Sequence, residues 1–165
     1  MRFSLSAICI GSFVIYAIAI KRFFTRPARS PGALQWLSAF GLLGSLVHIW
    51  LVTSANLDHV SSSVGLFLYS AGIGLFLWSA WTTRRHRLPI AFSQAVPSQL
   101  IVRGPFRLFA HPFYTAYSLT WLAGIVVSQS LLSAVVALPM FVLYSTAARQ
   151  ERRQLEAAGL RRQRV

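Results

Sequence analysis

The chain has 165 residues, enough for one domain, of which 55% are hydrophobic and only 12% charged, about half the charged fraction of a typical soluble domain. Sixteen Lys and Arg against three acids give a formal net charge of +13. This composition excludes an ordinary water-soluble globule. It also leaves two meanings for the positive charge, a polyanionic partner or the orientation of membrane helices, and the placement of each charge decides between them.

The first apolar run, residues 4–20, follows Arg2 and ends at Lys21-Arg22. With Ala17-Ile18-Ala19 near its end it has two readings, a cleaved secretory signal or a retained span. Cleavage would leave Lys21, Arg22, Arg26 and Arg29 outside the membrane, against the positive-inside rule, so the retained span is favoured. Cys9, the single cysteine, reads as a buried, inert thiol. A basic, Pro-containing link leads to the second run, residues 33–53, uncharged apart from the titratable His48, which reads as a hydrogen-bonded packing histidine. A short loop carrying Asp58 and His59 precedes the third run, residues 61–83, which stops at Arg84-Arg85. Gly41, Gly44, Gly72 and Gly74 are expected to permit close helix packing. Each run is long enough to cross about 30 Å of hydrocarbon. Trp50, Trp81 and Tyr144 fall near span ends, the position of interfacial anchors.

A polar loop from residue 84 to residue 111 follows. Pro89, Pro97 and Pro105 interrupt helix, and residues 100–102 suit a short extended piece. The final apolar stretch, residues 112–148, lacks any charge and is roughly twice the length of one span. Ser128-Gln129-Ser130 near its middle predicts a hairpin of two helices, 112–127 and 131–148, with Pro139 expected to kink the second. The expected fold class is all-α, a single integral membrane domain with five transmembrane helices. With five spans, fifteen of the sixteen basic residues share one side, leaving Arg2 opposite with Asp58. The positive-inside rule then predicts an outside amino terminus and a cytoplasmic carboxyl terminus, so the charge needs no nucleic-acid partner. No metal set emerges from scattered histidines and one cysteine. The fifteen Arg to one Lys suggest a bacterial source and an inner-membrane location.

The polar chain available for a site lies on the basic side. Pro112 suits the first position of the fourth span, whose free backbone donors then sit beside Arg103, Arg107 and His111. Such a cluster suits a carboxylate or phosphate, or simple contact with lipid headgroups. If the last helix continues beyond the membrane, Ala147, Glu151, Leu155 and Ala158 share one face. Glu156 has Arg152 and Arg153 within a turn, whereas Glu151 has no cation three or four residues away. Glu151 is therefore either a functional acid or half of an ion pair with Arg107 or Arg103 that pins the tail to the loop.

Residues 100–114, LIVRGPFRLFAHPFY, followed by a hairpin and then Glu151-Arg152-Arg153-Gln154-Leu155, resemble the signature of the isoprenylcysteine carboxyl methyltransferase and phospholipid methyltransferase superfamily. Its pattern runs Gly-Pro-aromatic-Arg, then His-Pro-x-Tyr, then a Glu-Glu-x-x-Leu element. The resemblance implies a membrane methyltransferase using S-adenosyl-L-methionine, with a lipophilic acceptor entering from the bilayer and a cofactor region over residues 100–158. It carries Gly104, His111, Pro112, Tyr114 and Glu151 over as cofactor-binding residues. Arg103 joins them from the charge argument, and Glu151 and Arg107 are the candidate catalytic residues. Ala110 stands where the family has Arg, Arg152 where it has a second Glu, and no Tyr-rich segment follows before Val165. Two other readings stay open: an NADPH-dependent membrane reductase with a related Arg-His-Pro-x-Tyr hairpin, and a non-catalytic protein that retains the fold.

Overall fold

The computed structural model describes residues 2–25, 32–85, 88–89, 91, 101–157 and 159. The expectations for Arg26, Arg29, Arg87, Pro97, Ala158 and the arginines beyond residue 160 lie outside the described residues. Five long helices occupy the expected apolar runs: α1 (Arg2–Phe23), α2 (Gly32–Ser54), α3 (His59–Thr83), α5 (Pro112–Ser128) and α6 (Leu131–Ala157). Between α3 and α5 lies a single helical turn, α4 (Pro105–Leu108). Helices α1, α2, α3 and α6 are long and apolar enough to cross a membrane. At 17 residues, α5 reaches about 25 Å, the lower end of what a span needs. His59, expected in the loop, is instead the exposed first residue of α3.

Within their spans these helices are mostly apolar on every side, so what distinguishes their inward faces is side-chain size and the pairing of polar groups. On α1 the buried residues Leu5, Cys9, Ser12, Tyr16 and Ala19 recur at alternating spacings of four and three, one stripe of a helix. On α3 the buried set includes Ser62, Gly65, Tyr69, Gly72, Phe76, Ser79 and Thr83. It meets Ala116, Thr120, Ala123 and Val127, buried on α5. A Cβ on Gly72 would lie 3.0 Å from both the Ala116 carbonyl oxygen and Thr120 Oγ1, so the missing side chain lets the backbones approach. Small residues serve this purpose inside membranes, where lipid tails remove the hydrophobic drive for helix association. Gly44 is also tightly packed, its Cβ position 3.0 Å from Trp121 Cη2, and Gly41 is in ordinary contact with Met140. Gly74 faces open space and does not have the packing role expected of it.

Several polar side chains pair across the helices of the bundle. Tyr16 and Thr120 share a 2.7 Å hydrogen bond, and His48 Nε2 lies 2.9 Å from the Tyr69 hydroxyl. His48 is wholly buried and packs edge-on against Phe13 and Trp121, in keeping with a packing role. It occupies space left by Gly124, where a Cβ would sit 1.9 Å from His48 Cε1. Cys9 is fully buried too. Trp50 and Trp81 are well exposed, as anchors would be. Tyr144 is not, since it is buried and its hydroxyl accepts from Trp121 Nε1 at 3.2 Å.

The two ends of the bundle differ. At one, Asp58 caps α3 by accepting from the Ser61 N–H at 2.8 Å, and Gln129 Nε2 donates to Asp58 Oδ2 at 2.6 Å. Gln129 itself forms the expected hairpin turn in the left-handed conformation, φ 48°, ending α5 just before α6 begins. At the other end, β1 (Phe24–Thr25), which follows α1, pairs in parallel with β2 (Leu88–Pro89), which follows α3. The extended piece expected at 100–102 is not seen at Ile101 and Val102, which lack regular structure, and residue 100 is outside the described chain. Helix α6 continues unbroken through Pro139 to Ala157.

Candidate functional site

The approach to α5 is built by two prolines and a glycine. Gly104 has φ +59°, and a Cβ there would lie 2.7 Å from Thr82 Oγ1, so both backbone and space call for glycine. Pro105 opens α4, whose turn closes with the Phe109 N–H donating to the Pro105 carbonyl at 2.9 Å. The chain then extends through Phe109 and restarts as α5, with His111 as cap residue and the buried Pro112 in the first turn. This is the placement expected for a residue without a backbone donor. The His111 carbonyl accepts the first helical bond, from Thr115, at 3.0 Å, and its ring is left for other partners.

That partner comes from α6. In the antiparallel hairpin the residues opposite the start of α5 lie some 17 positions into α6, so Glu151 projects about one turn past it. His111 Nδ1 lies 3.1 Å from Glu151 Oε2, and the Tyr114 hydroxyl donates to Glu151 Oε1 at 2.5 Å. The His111 and Glu151 side chains are 26% and 37% exposed, open enough for a ligand and dry enough for a charge to matter. Of the two readings of Glu151, the ion pair with Arg107 or Arg103 is not formed among the described residues, and these contacts take its place. Glu156 does take Arg152, at 3.0 Å.

A run of aromatic rings, not anticipated from the sequence, leads inward from this carboxylate. His111 stacks on Tyr114 with ring centres 5.7 Å apart. Tyr114 lies nearly parallel to Tyr144 at 5.8 Å, and Tyr144 meets Tyr117 at 5.5 Å. Tyr114 and Tyr117 are three residues apart on α5, a helical-neighbour spacing visible in the sequence; the juxtaposition with Tyr144 needs the hairpin. A carboxylate at the end of such a column offers one negative charge and several π-faces, a set that suits a cation.

The other expected site residues are placed differently. Arg103 and Gly104 line a cavity of about 270 Å³ with Trp81, Thr82, Arg84 and Arg85, none of which belongs to the His111, Tyr114 and Glu151 cluster. Arg107, exposed on α4, forms no ion pair among the described residues. No group of three or more His, Cys, Asp or Glu is placed to hold a metal among the described residues.

A bundle of apolar helices with a half-buried acid and aromatic rings at its basic end defines an integral membrane protein with a polar site at one face. The phospholipid methyltransferase family model matches residues 60–158, from the first turn of α3 to the end of α6, and the chain belongs to that family of methyltransferases. The match takes in α3 as well as the segment from residue 100 onward on which the sequence resemblance rests. No curated protein and no solved structure matches the chain.

Proposed function

We propose that the chain transfers a methyl group from S-adenosyl-L-methionine to a lipophilic or lipid-linked acceptor at the cytoplasmic face of the membrane. The observation that carries this reading is the convergence of His111 and Tyr114 from α5 on Glu151 from α6. These residues fit the cofactor by the chemistry of the set: a carboxylate to pair with its ammonium or sulfonium, beside rings whose faces attract cations. When bound, the cofactor supplies an electrophilic methyl carbon, so the protein has no covalent intermediate to make.

The residues of the chain orient and exclude water. Tyr114 and His111 fix both oxygens of Glu151, so the carboxylate meets a cation without reorganising. The buried Pro112 and the rings of Tyr114 and Tyr144 form a dry wall along the hairpin, and positioning in such a site supplies the bulk of the rate for a direct displacement. For an amine acceptor, His111 and Glu151 are the groups placed to take a proton. In this reading the five long helices all span, α5 among them, and the acceptor arrives laterally from the bilayer.

Calorimetric titration of the detergent-purified chain with S-adenosylmethionine, S-adenosylhomocysteine and NADPH tests the proposal. Binding of the first two and loss of it in Glu151→Ala and His111→Ala are expected. Heat with NADPH alone would overturn the reading in favour of a reductase, and wild-type affinity in both variants would remove the site assignment.

A further inference from the structure

We infer that the cavity at the carboxyl-terminal end of α3 is a binding site for the phosphodiester of an anionic phospholipid headgroup, separate from the Glu151 cluster. Its lining residues are Trp81, Thr82, Arg84, Arg85, Arg103 and Gly104: three cations and, among the described residues, no acid. The Arg84 guanidinium lies 3.7 Å over the Trp81 ring, an arrangement that holds the charge at the rim while both remain exposed. Gly104 brings its backbone against Thr82, a contact any side chain would prevent, so the loop carrying Arg103 is drawn up to the end of α3, just before Arg84 and Arg85.

Size and surroundings choose the ligand. At about 270 Å³ the cavity is small and open, with room for a compact anionic group at its mouth. Below it on α3, Leu77, Trp78 and Trp81 are exposed and Gly74 leaves a gap in the surface, an apolar track for acyl chains running from a cationic mouth. Guanidinium groups take phosphate oxygens in bidentate geometry. A zwitterionic headgroup would bring its ammonium against the same three arginines, so net negative lipids are preferred. The inference rests on the membrane placement of α3 and not on methyl transfer.

The test uses the full chain in a non-ionic detergent, titrated calorimetrically with dihexanoyl phosphatidylglycerol, dihexanoyl phosphatidylcholine and inorganic phosphate. Phosphatidylglycerol is expected to bind at least about tenfold more tightly than either of the others. The Arg84→Gln/Arg103→Gln pair should abolish that preference, while Arg149→Gln/Arg153→Gln, equal in charge removed, should keep it. Equal affinity of the wild-type chain for the two lipids would overturn the inference without recourse to any variant. So would an equal loss in the Arg149/Arg153 pair, which would mean diffuse charge. Inorganic phosphate binding as tightly as phosphatidylglycerol would make this a free-phosphate site instead.

Discussion

Glu151 is the residue on which the site turns, and its two partners act differently. Tyr114 donates a hydrogen bond to a charged acceptor, a contact worth about 1.5–3 kcal/mol, so Tyr114→Phe is expected to weaken S-adenosylmethionine binding roughly tenfold or more in the same titration. The departures from the family pattern separate on the same ground. Arg152, in place of the second Glu, is 77% exposed and paired with Glu156, so the reversed charge lies outside the cluster. Arg152→Glu should change cofactor affinity by less than about threefold. Ala110 is exposed beside His111, and no basic side chain of α4 pairs with Glu151 in its stead among the described residues. Deep in the bundle, Gly124→Ala would force a methyl into the His48 ring, which Phe13, Tyr69 and Trp121 hold in place. Overpacking of this kind costs about 1–3 kcal/mol. Thermal unfolding in detergent should show a clear drop for Gly124→Ala and little change for Gly74→Ala, whose site is open.

At the level of elements, Asp58 joins two connections that are distant in sequence, the start of α3 and the turn between α5 and α6. Its carboxyl is held below its ordinary value, first by the Ser61 hydroxyl, then by the Ser61 backbone N–H, with Gln129 adding to the effect. A carboxylate whose folded value is depressed stabilises the fold fully above its unfolded value and loses that contribution as pH falls through the folded one. Asp58→Ala should therefore lower the melting temperature at neutral pH, and the gap from wild type should shrink once the pH drops below about 3.9. A gap that stays constant with pH would assign the loss to the side chain's shape alone. The hairpin turn explains why one residue suffices here. Gln129 adopts a left-handed conformation that ends α5, and its own side chain then reaches Asp58.

Across the whole molecule the charges sort by end. The β1–β2 pair ties the end of α1, with Lys21 and Arg22, to the segment just after Arg84 and Arg85. The α4 turn with Arg103 and Arg107 and the extension of α6 with Arg149, Arg152 and Arg153 belong to this end, while Asp58 and Gln129 close the other. In the topology we propose, this asymmetry orients the protein with the site inside. Reporter fusions at Asp58 and Arg85 should fall on opposite sides, and the same side for both would remove the five-span topology. The outward faces of the spans are largely apolar. On α2, Trp36, Leu43, Leu46 and Trp50 are all more than half exposed, with the two tryptophans 14 residues or about 21 Å apart, a separation suited to a helix seated in lipid.

Much was legible before any coordinates. Unbroken apolar length fixes helices because a backbone in hydrocarbon has no other way to satisfy its hydrogen bonds. The arginines gather at one end of the bundle, and Pro112 and Ser128-Gln129-Ser130 mark where the last helices begin and turn. The Gly-Pro, His-Pro-x-Tyr and Glu151 elements pointed to the family whose model matches residues 60–158. What the sequence could not supply was partnership between helices that are apolar on every side. Nothing in residue spacing says that Glu151 meets His111 and Tyr114 rather than Arg107, that Arg103 joins Arg84, that Tyr144 is buried while Trp81 is not, or that Gly124 exists for His48. Those pairings depend on the rotation and register of each helix against its neighbours. In a membrane they are set by the fit of small residues and buried hydrogen bonds, which only the tertiary structure brings together.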